Sequence, residues 1–250
     1  VVAEVRILGI EGIPEARPGD RVADLVAAGL EHSGLAIEAG DVLVVTHKLV
    51  SKAEGRVIAL DSVHPSPFAE QIAQRYGKDP RHVEVVLRES VRIVRMDRGI
   101  LIAETRHGFV CANAGVDASN VPPGYVSLLP LDPDASARRI RSELIRRFGS
   151  EHAVVITDSF GRPWRNGIVN IAIGVAGMQP LLDYRGQADT FGNELRVTVM
   201  AVADELAAAA ELVMGKVERC PAAIIRGYRY KPGTGVVSDL VMPPERDLFR

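Results

Sequence analysis

The chain has 250 residues, 47% of them hydrophobic and 25% charged, with a formal net charge of -2; this is the composition of a globular protein, long enough for one large domain or two modest ones. Thirty basic residues against thirty-two acidic ones leave no global basic field, which excludes the usual electrostatic footprint of a nucleic-acid partner, and no run of about eighteen apolar residues offers a membrane span. The two cysteines, Cys111 and Cys220, have no close spacing; this excludes a local CxxC zinc or redox motif and a disulfide framework, and a reducing, cytoplasmic setting is expected.

In chain order, residues 1–8 partly alternate like a strand and carry no signal-peptide pattern, and the strand is expected over 4–8. A turn-rich stretch through Pro14, Pro18 and Gly19 follows. Asp20 is expected to cap a helix carrying Val22, Leu25, Val26 and Leu30 on one face. Asp41 to Thr46 is nearly all apolar and predicts a strand buried on both faces. Ser66-Pro67 opens a helix that Gly77 should stop, and Asp79-Pro80 opens another with Val83, Val86 and Leu87 facing inward. The period then changes. Residues 91–94, 100–104 and 109–112 predict three strands joined by Asp97-Arg98-Gly99 and Arg106-His107-Gly108, an antiparallel meander. Asp132-Pro133 caps a helix ending at Gly149, with Ala137, Ile140, Leu144 and Phe148 inward and its five arginines mostly solvated. A strand at 153–157, an apolar segment at 168–175, an Ala-rich helix over about 195–214 and a strand at 221–225 complete the pattern. Helices mixed with consecutive hairpins predict an α+β fold with a mixed, largely antiparallel sheet and flanking helices, in a single unit over 1–250 that allows two lobes.

Three segments place polar groups just past an apolar strand. Residues 153–159 end on Asp158 and Ser159, before a stretch carrying Arg162, Pro163, Trp164 and Arg165. Ligands in α/β proteins gather beyond strand ends. A carboxylate beside a hydroxyl suits a hard cation, and arginines suit phosphate or carboxylate. Taken alone, the segment reads equally as a solvated strand-to-loop turn. The second segment, Thr46 to Arg56, carries His47, Lys48, Ser51 and Lys52; it suits phosphates or is simply a charged strand end, and it is not a P-loop. The third, Cys111 to Asn120, sets Asp117 and Asn120 three residues apart; it serves one site from a turn or is an Asx-rich turn and nothing more. Asp117, Asp158 and Ser159 together would make an all-oxygen site for Mg²⁺ or Mn²⁺. Without a cation, two close carboxylates would repel, so their convergence predicts a metal. The six histidines form no HExxH, and no GxSxG elbow occurs.

Taken together, these motifs resemble those of the GTP-dependent coenzyme F420-0:L-glutamate ligases, the F420 gamma-glutamyl ligases. The likeness runs nearly end to end, through residues 12–15, 50–56, 113–120 and 157–162 and the tail at 245–250. It implies a family-specific ligase fold, a homodimer, and an enzyme that joins L-glutamate to the deazaflavin precursor F420-0 through an acyl phosphate, with further gamma-linked additions. By resemblance, GTP as substrate lies against Ile13, Pro14, Glu15 and Ala16 and against His47, Lys52 and Asn120. Asp117, Asp158 and Ser159 hold Mg²⁺ or Mn²⁺, K⁺ is a further expected cation, and Asp117, Asp158 and Lys52 carry the catalytic roles. Two positions depart from the family pattern. His47 stands where relatives often have a small hydroxyl residue, and Lys216 stands in a segment where some members place a glutamine facing the metal. The residues alone also allow a metal-dependent phosphohydrolase, and the scaffold allows a deazaflavin-binding protein that does not ligate.

Overall fold

The computed structural model describes residues 3–247; Val1, Val2 and the Leu248-Phe249-Arg250 end of the tail motif lie outside the described residues. The elements run β1 (Arg6–Gly9), α1 (Val22–His32), β2 (Val42–Thr46), α2 (His47–Ala53), β3 (Val57–Ala59), α3 (Pro67–Tyr76), α4 (Pro80–Glu89), β4 (Ser90–Asp97), β5 (Ile100–Thr105), β6 (Val110–Ala112), β7 (Tyr125–Ser127), α5 (Pro133–Phe148), β8 (Ala153–Arg162), β9 (Arg165–Ala176), β10 (Leu182–Asp183), β11 (Val199–Met200), α6 (Val202–Met214) and β12 (Ala222–Arg226). The fold is α+β with mixed, mostly antiparallel sheets, as expected.

The main sheet has five strands in the order β1-β12-β2-β8-β9. Only β2 and β8 run parallel, in a register that ends on Thr46 opposite Thr157. Residues 42–45 and 153–156 are fully buried, which explains their unbroken apolar runs: both faces of the sheet are covered. One face packs against α1 and α5 through Leu43, Val45, Val154 and Ile156. The other packs against α6 through Val42, Val44, Val155 and Ala207. A third core gathers α3, α4 and the predicted meander β4-β5-β6 around Leu101, Ala103, Val86 and Leu128.

The helix caps at Ser66, Asp79 and Asp132 form as the sequence predicts, each accepting a backbone N–H of the first turn, and Gly77 and Gly149 close their helices at φ 64° and 70°. Four expectations fail. Asp20 does not cap α1; its carboxylate turns back to accept the N–H of Arg17, and Arg21 takes the cap position without a side-chain bond. The Ala-rich helix starts at Val202, because Val199 and Met200 pair with β10 instead. The stretch read as a loop after residue 157 continues as strand: β8 runs on to Arg162 and turns directly into β9. Phe148, assigned to the inner side of α5, is exposed.

Candidate active site

Because β2 and β8 are parallel and end together, His47 and Asp158 leave the sheet side by side at its carboxyl edge. The ring Nε2 of His47 lies 3.2 Å from Asp158 Oδ1, but without hydrogen-bond alignment, so that this buried nitrogen has no hydrogen-bond partner. Its Nδ1 lies 3.3 Å from Ser51 Oγ, one turn along α2. His47 is buried and Asp158 retains 16% side-chain exposure. Burial works to raise the Asp158 pKa. The His47 ring, the Ser159 backbone N–H and the Lys48 ammonium outweigh it, and the carboxyl sits below its ordinary value.

Lys48 is the residue that ties the site together; the sequence offered it as one of two lysines suited to phosphate but gave it no site role. Its ammonium donates to Asp117 Oδ2 at 2.5 Å and to the Ser119 hydroxyl. Burial again works to raise Asp117, while the bonds from Lys48 and Ser119 bring it below the ordinary carboxylate value. One ammonium therefore acts on both aspartates, by contact on Asp117 and by charge on Asp158. Within the protein itself, Lys48 favours the ionised form of both carboxylates, and the contact with the His47 ring favours that of Asp158. Lys52, one turn after Lys48 and on the same side of α2, pairs with Glu15. That contact brings the segment of Ile13, Pro14, Glu15 and Ala16 over the helix. Ala16 is buried, and Gly29 of α1 lies so close beneath Ile13 that a Cβ would meet it at 2.4 Å.

Ser159 approaches the edge from the other face. Neighbouring residues on a strand point to opposite sides, and its hydroxyl bonds Asn170 Oδ1 of β9 at 2.7 Å. Lys216, just past α6, donates to Ser159 Oγ at 2.6 Å and pairs with Glu211 at the same distance. Glu211 also accepts from Asn170 Nδ2. This quartet was legible only in part: Ser159 and Lys216 carried a signal, whereas Asn170 and Glu211 stand in unremarkable strand and helix sequence. Asn120 sits at φ 57° in the exposed loop after Asp117. Cys111 lies near enough to Asp158 that burial, with that charge, pushes its thiol up to about 12, so it stays protonated and unreactive.

Asp117 and Asp158 offer the oxygen donors that a hard divalent cation takes, whereas the Ser159 hydroxyl lies on the other face of β8, bonded to Asn170 and Lys216. Among the described residues no three acidic, histidine or cysteine side chains converge as a closed metal cage. A cavity of about 850 Å³, lined by Leu182, Tyr184, Met200 and Tyr228, opens at the far edge of the sheet; β12 runs antiparallel to β2, so this cavity lies beyond the start of β2, away from the aspartates. Among the described residues no helix is long and apolar enough to cross a membrane.

Comparison with known proteins gives concordant results. The sequence model of a family described as F420-0:Gamma-glutamyl ligase matches residues 11–227. The chain is 49% identical to a Coenzyme F420:L-glutamate ligase of Methanopyrus kandleri, over 97% of this chain and 98% of that protein. It is 48% identical to the Coenzyme F420:L-glutamate ligase of Methanothermobacter thermautotrophicus, over 98% and 99%. The enzyme of that name from Methanocaldococcus jannaschii is 44% identical, over 99% and 97%.

Proposed function

The chain belongs to the F420-0:gamma-glutamyl ligase family, and from that premise we propose that it joins L-glutamate to the F420 precursor at the expense of GTP, by way of an acyl phosphate. The observation that carries the reading is the likeness to glutamate ligases along almost the entire chain. The site geometry supports the finer chemistry. In the first step the precursor carboxylate attacks the γ-phosphorus of GTP and GDP leaves. In the second the glutamate amine attacks the acyl carbon, inorganic phosphate leaves and a proton is released.

The residues at the sheet edge suit those two steps. Lys48 and Lys52 present two ammonium groups on one side of α2, where they offset phosphate charge. Asp117 and Asp158 are the groups that would hold Mg²⁺ or Mn²⁺. When bound, such an ion neutralises charge on the phosphate oxygens during transfer. Ile13, Pro14, Glu15 and Ala16 wall the nucleotide on the α1 side, with His47 and Asn120 flanking it. Phosphoryl transfer needs little covalent work from the protein; positioning and charge stabilisation supply the rate.

The test combines the chain with GTP, Mn²⁺, L-glutamate and F420-0. Glutamate-dependent GDP release with a mass gain of one glutamyl unit is the expected result. GDP release that ignores glutamate would make the protein a phosphohydrolase, and precursor binding without turnover would make it a deazaflavin-binding protein; either outcome overturns the proposal.

A further inference from the structure

On the α6 face of β8, opposite Asp158, one ammonium has three oxygens around it. Lys216 Nζ lies 2.6 Å from Ser159 Oγ, 3.3 Å from Asn170 Oδ1 and 2.6 Å from Glu211 Oε1. An ammonium carries three N–H donors, so each finds an acceptor. The other polar atoms close on one another. Ser159 and Asn170 pair across the β8–β9 ladder, the Ser159 hydroxyl donates to Asn170 Oδ1, and Asn170 Nδ2 donates to Glu211 Oε2 at 2.7 Å. Asn170 is buried, and these two bonds fix which way its amide points.

The backbone is shaped to deliver that ammonium. Gly215 closes α6 at φ 58° and ψ −166°, a conformation essentially confined to glycine, and a Cβ there would run into the Glu218 carboxylate. The turn swings Lys216 back over Glu211. It arrives at the negative end of the α6 dipole, whose last turn has no basic residue of its own. A hydroxyl, an amide carbonyl and a carboxylate converging on one point are the donors of a hard-cation site. Here the point is held by a charged nitrogen, which repels a second cation and has no lone pair to ligate one. We propose that Lys216 is a tethered cation: it fills the oxygen cage of Ser159, Asn170 and Glu211 in place of a metal ion, and so confines divalent ions to the Asp117 and Asp158 side of the sheet edge. This goes beyond the ligase reading, and counting bound ions tests it without turnover.

The test titrates Mn²⁺ into the full chain and counts bound ions by electron paramagnetic resonance. Lys216→Ala should bind one Mn²⁺ per chain more than the wild type. Lys216→Arg, which keeps the charge, should bind the wild-type number. Glu211→Gln added to Lys216→Ala should remove the extra ion, because it takes away the charged ligand. Lys216 is half exposed, so the fold should tolerate its loss; Lys216→Met, which keeps the aliphatic stem, serves the same count if Lys216→Ala unfolds. Equal counts in the neutral variant and the wild type overturn the proposal. So does an extra ion that survives Glu211→Gln or that also appears in Lys216→Arg. A wild type that binds no Mn²⁺ would instead remove the ion from Asp117 and Asp158, and the difference between variant and wild type would still decide the role of Lys216.

Discussion

At the scale of single residues, Asp117 and Asp158 share one neighbouring cation, Lys48, that favours the ionised form of each. Both carboxyls lie below their ordinary pKa. A depressed folded pKa means that the stability the charged form contributes is complete above the unfolded value of about 3.9. It is lost as pH falls through the lower, folded values. The metal-free chain should therefore keep its contribution from these two contacts down to about pH 4 and lose it below. Thermal melts from pH 7 to 3 should show a shallower acid limb in Asp117→Asn than in the wild type; parallel limbs would mean that the Lys48 contact adds nothing. Sequence reasoning found the aspartates because acid and hydroxyl groups after an apolar run are conspicuous. Nothing local separates two lysines four apart, and Lys52 was singled out only by the family resemblance. Contact decides: Lys48 meets Asp117, and Lys52 meets Glu15.

At the scale of elements, boundaries with local chemistry were legible and those set by pairing were not. The caps of α3, α4 and α5 rest on a side chain bonding a nearby backbone N–H, which needs no distant partner. The long β8–β9 hairpin was misread because Gly161, Pro163 and Gly167 look like loop residues. Ladder pairing nevertheless carries the two strands to Arg162 and Arg165. The start of α6 was misplaced for the same reason, since β11 is defined only by β10. One close approach makes a sharp prediction. Gly174 of β9 lies against the first residue of α5, and an added Cβ would meet the Pro133 backbone at 2.7 Å. Gly174→Ala should destabilise the fold by about 1–3 kcal/mol through overpacking, read as a lower urea midpoint at unchanged slope. A midpoint equal to wild type would show that α5 yields freely.

At the scale of the whole molecule, the site draws on two cores. Asp158 and His47 stand on the main sheet, while Asp117 stands beside the core beneath α3, α4 and the meander. Ligands that bridge them bind the folded state alone and so stabilise it. GTP with Mn²⁺ at a hundred times its dissociation constant should raise the melting temperature by about 5–10 °C. Asp158→Asn should abolish that rise; a full rise in the variant would place nucleotide and ion elsewhere.

The sequence by itself determined the α+β class, the buried runs of β2 and β8, the capped helices and the family, because periodicity, caps and ordered motifs are local properties of a chain. It also singled out the acids and hydroxyls as the unusual groups. Only the tertiary structure decided that Thr46 and Thr157 pair in parallel, which brings His47 beside Asp158. Only it decided that Lys48 takes Asp117 and that Ser159 turns to Lys216. Such neighbours are chosen by strand order and register, which join residues 57 to 111 positions apart and leave no trace in the spacing on either side.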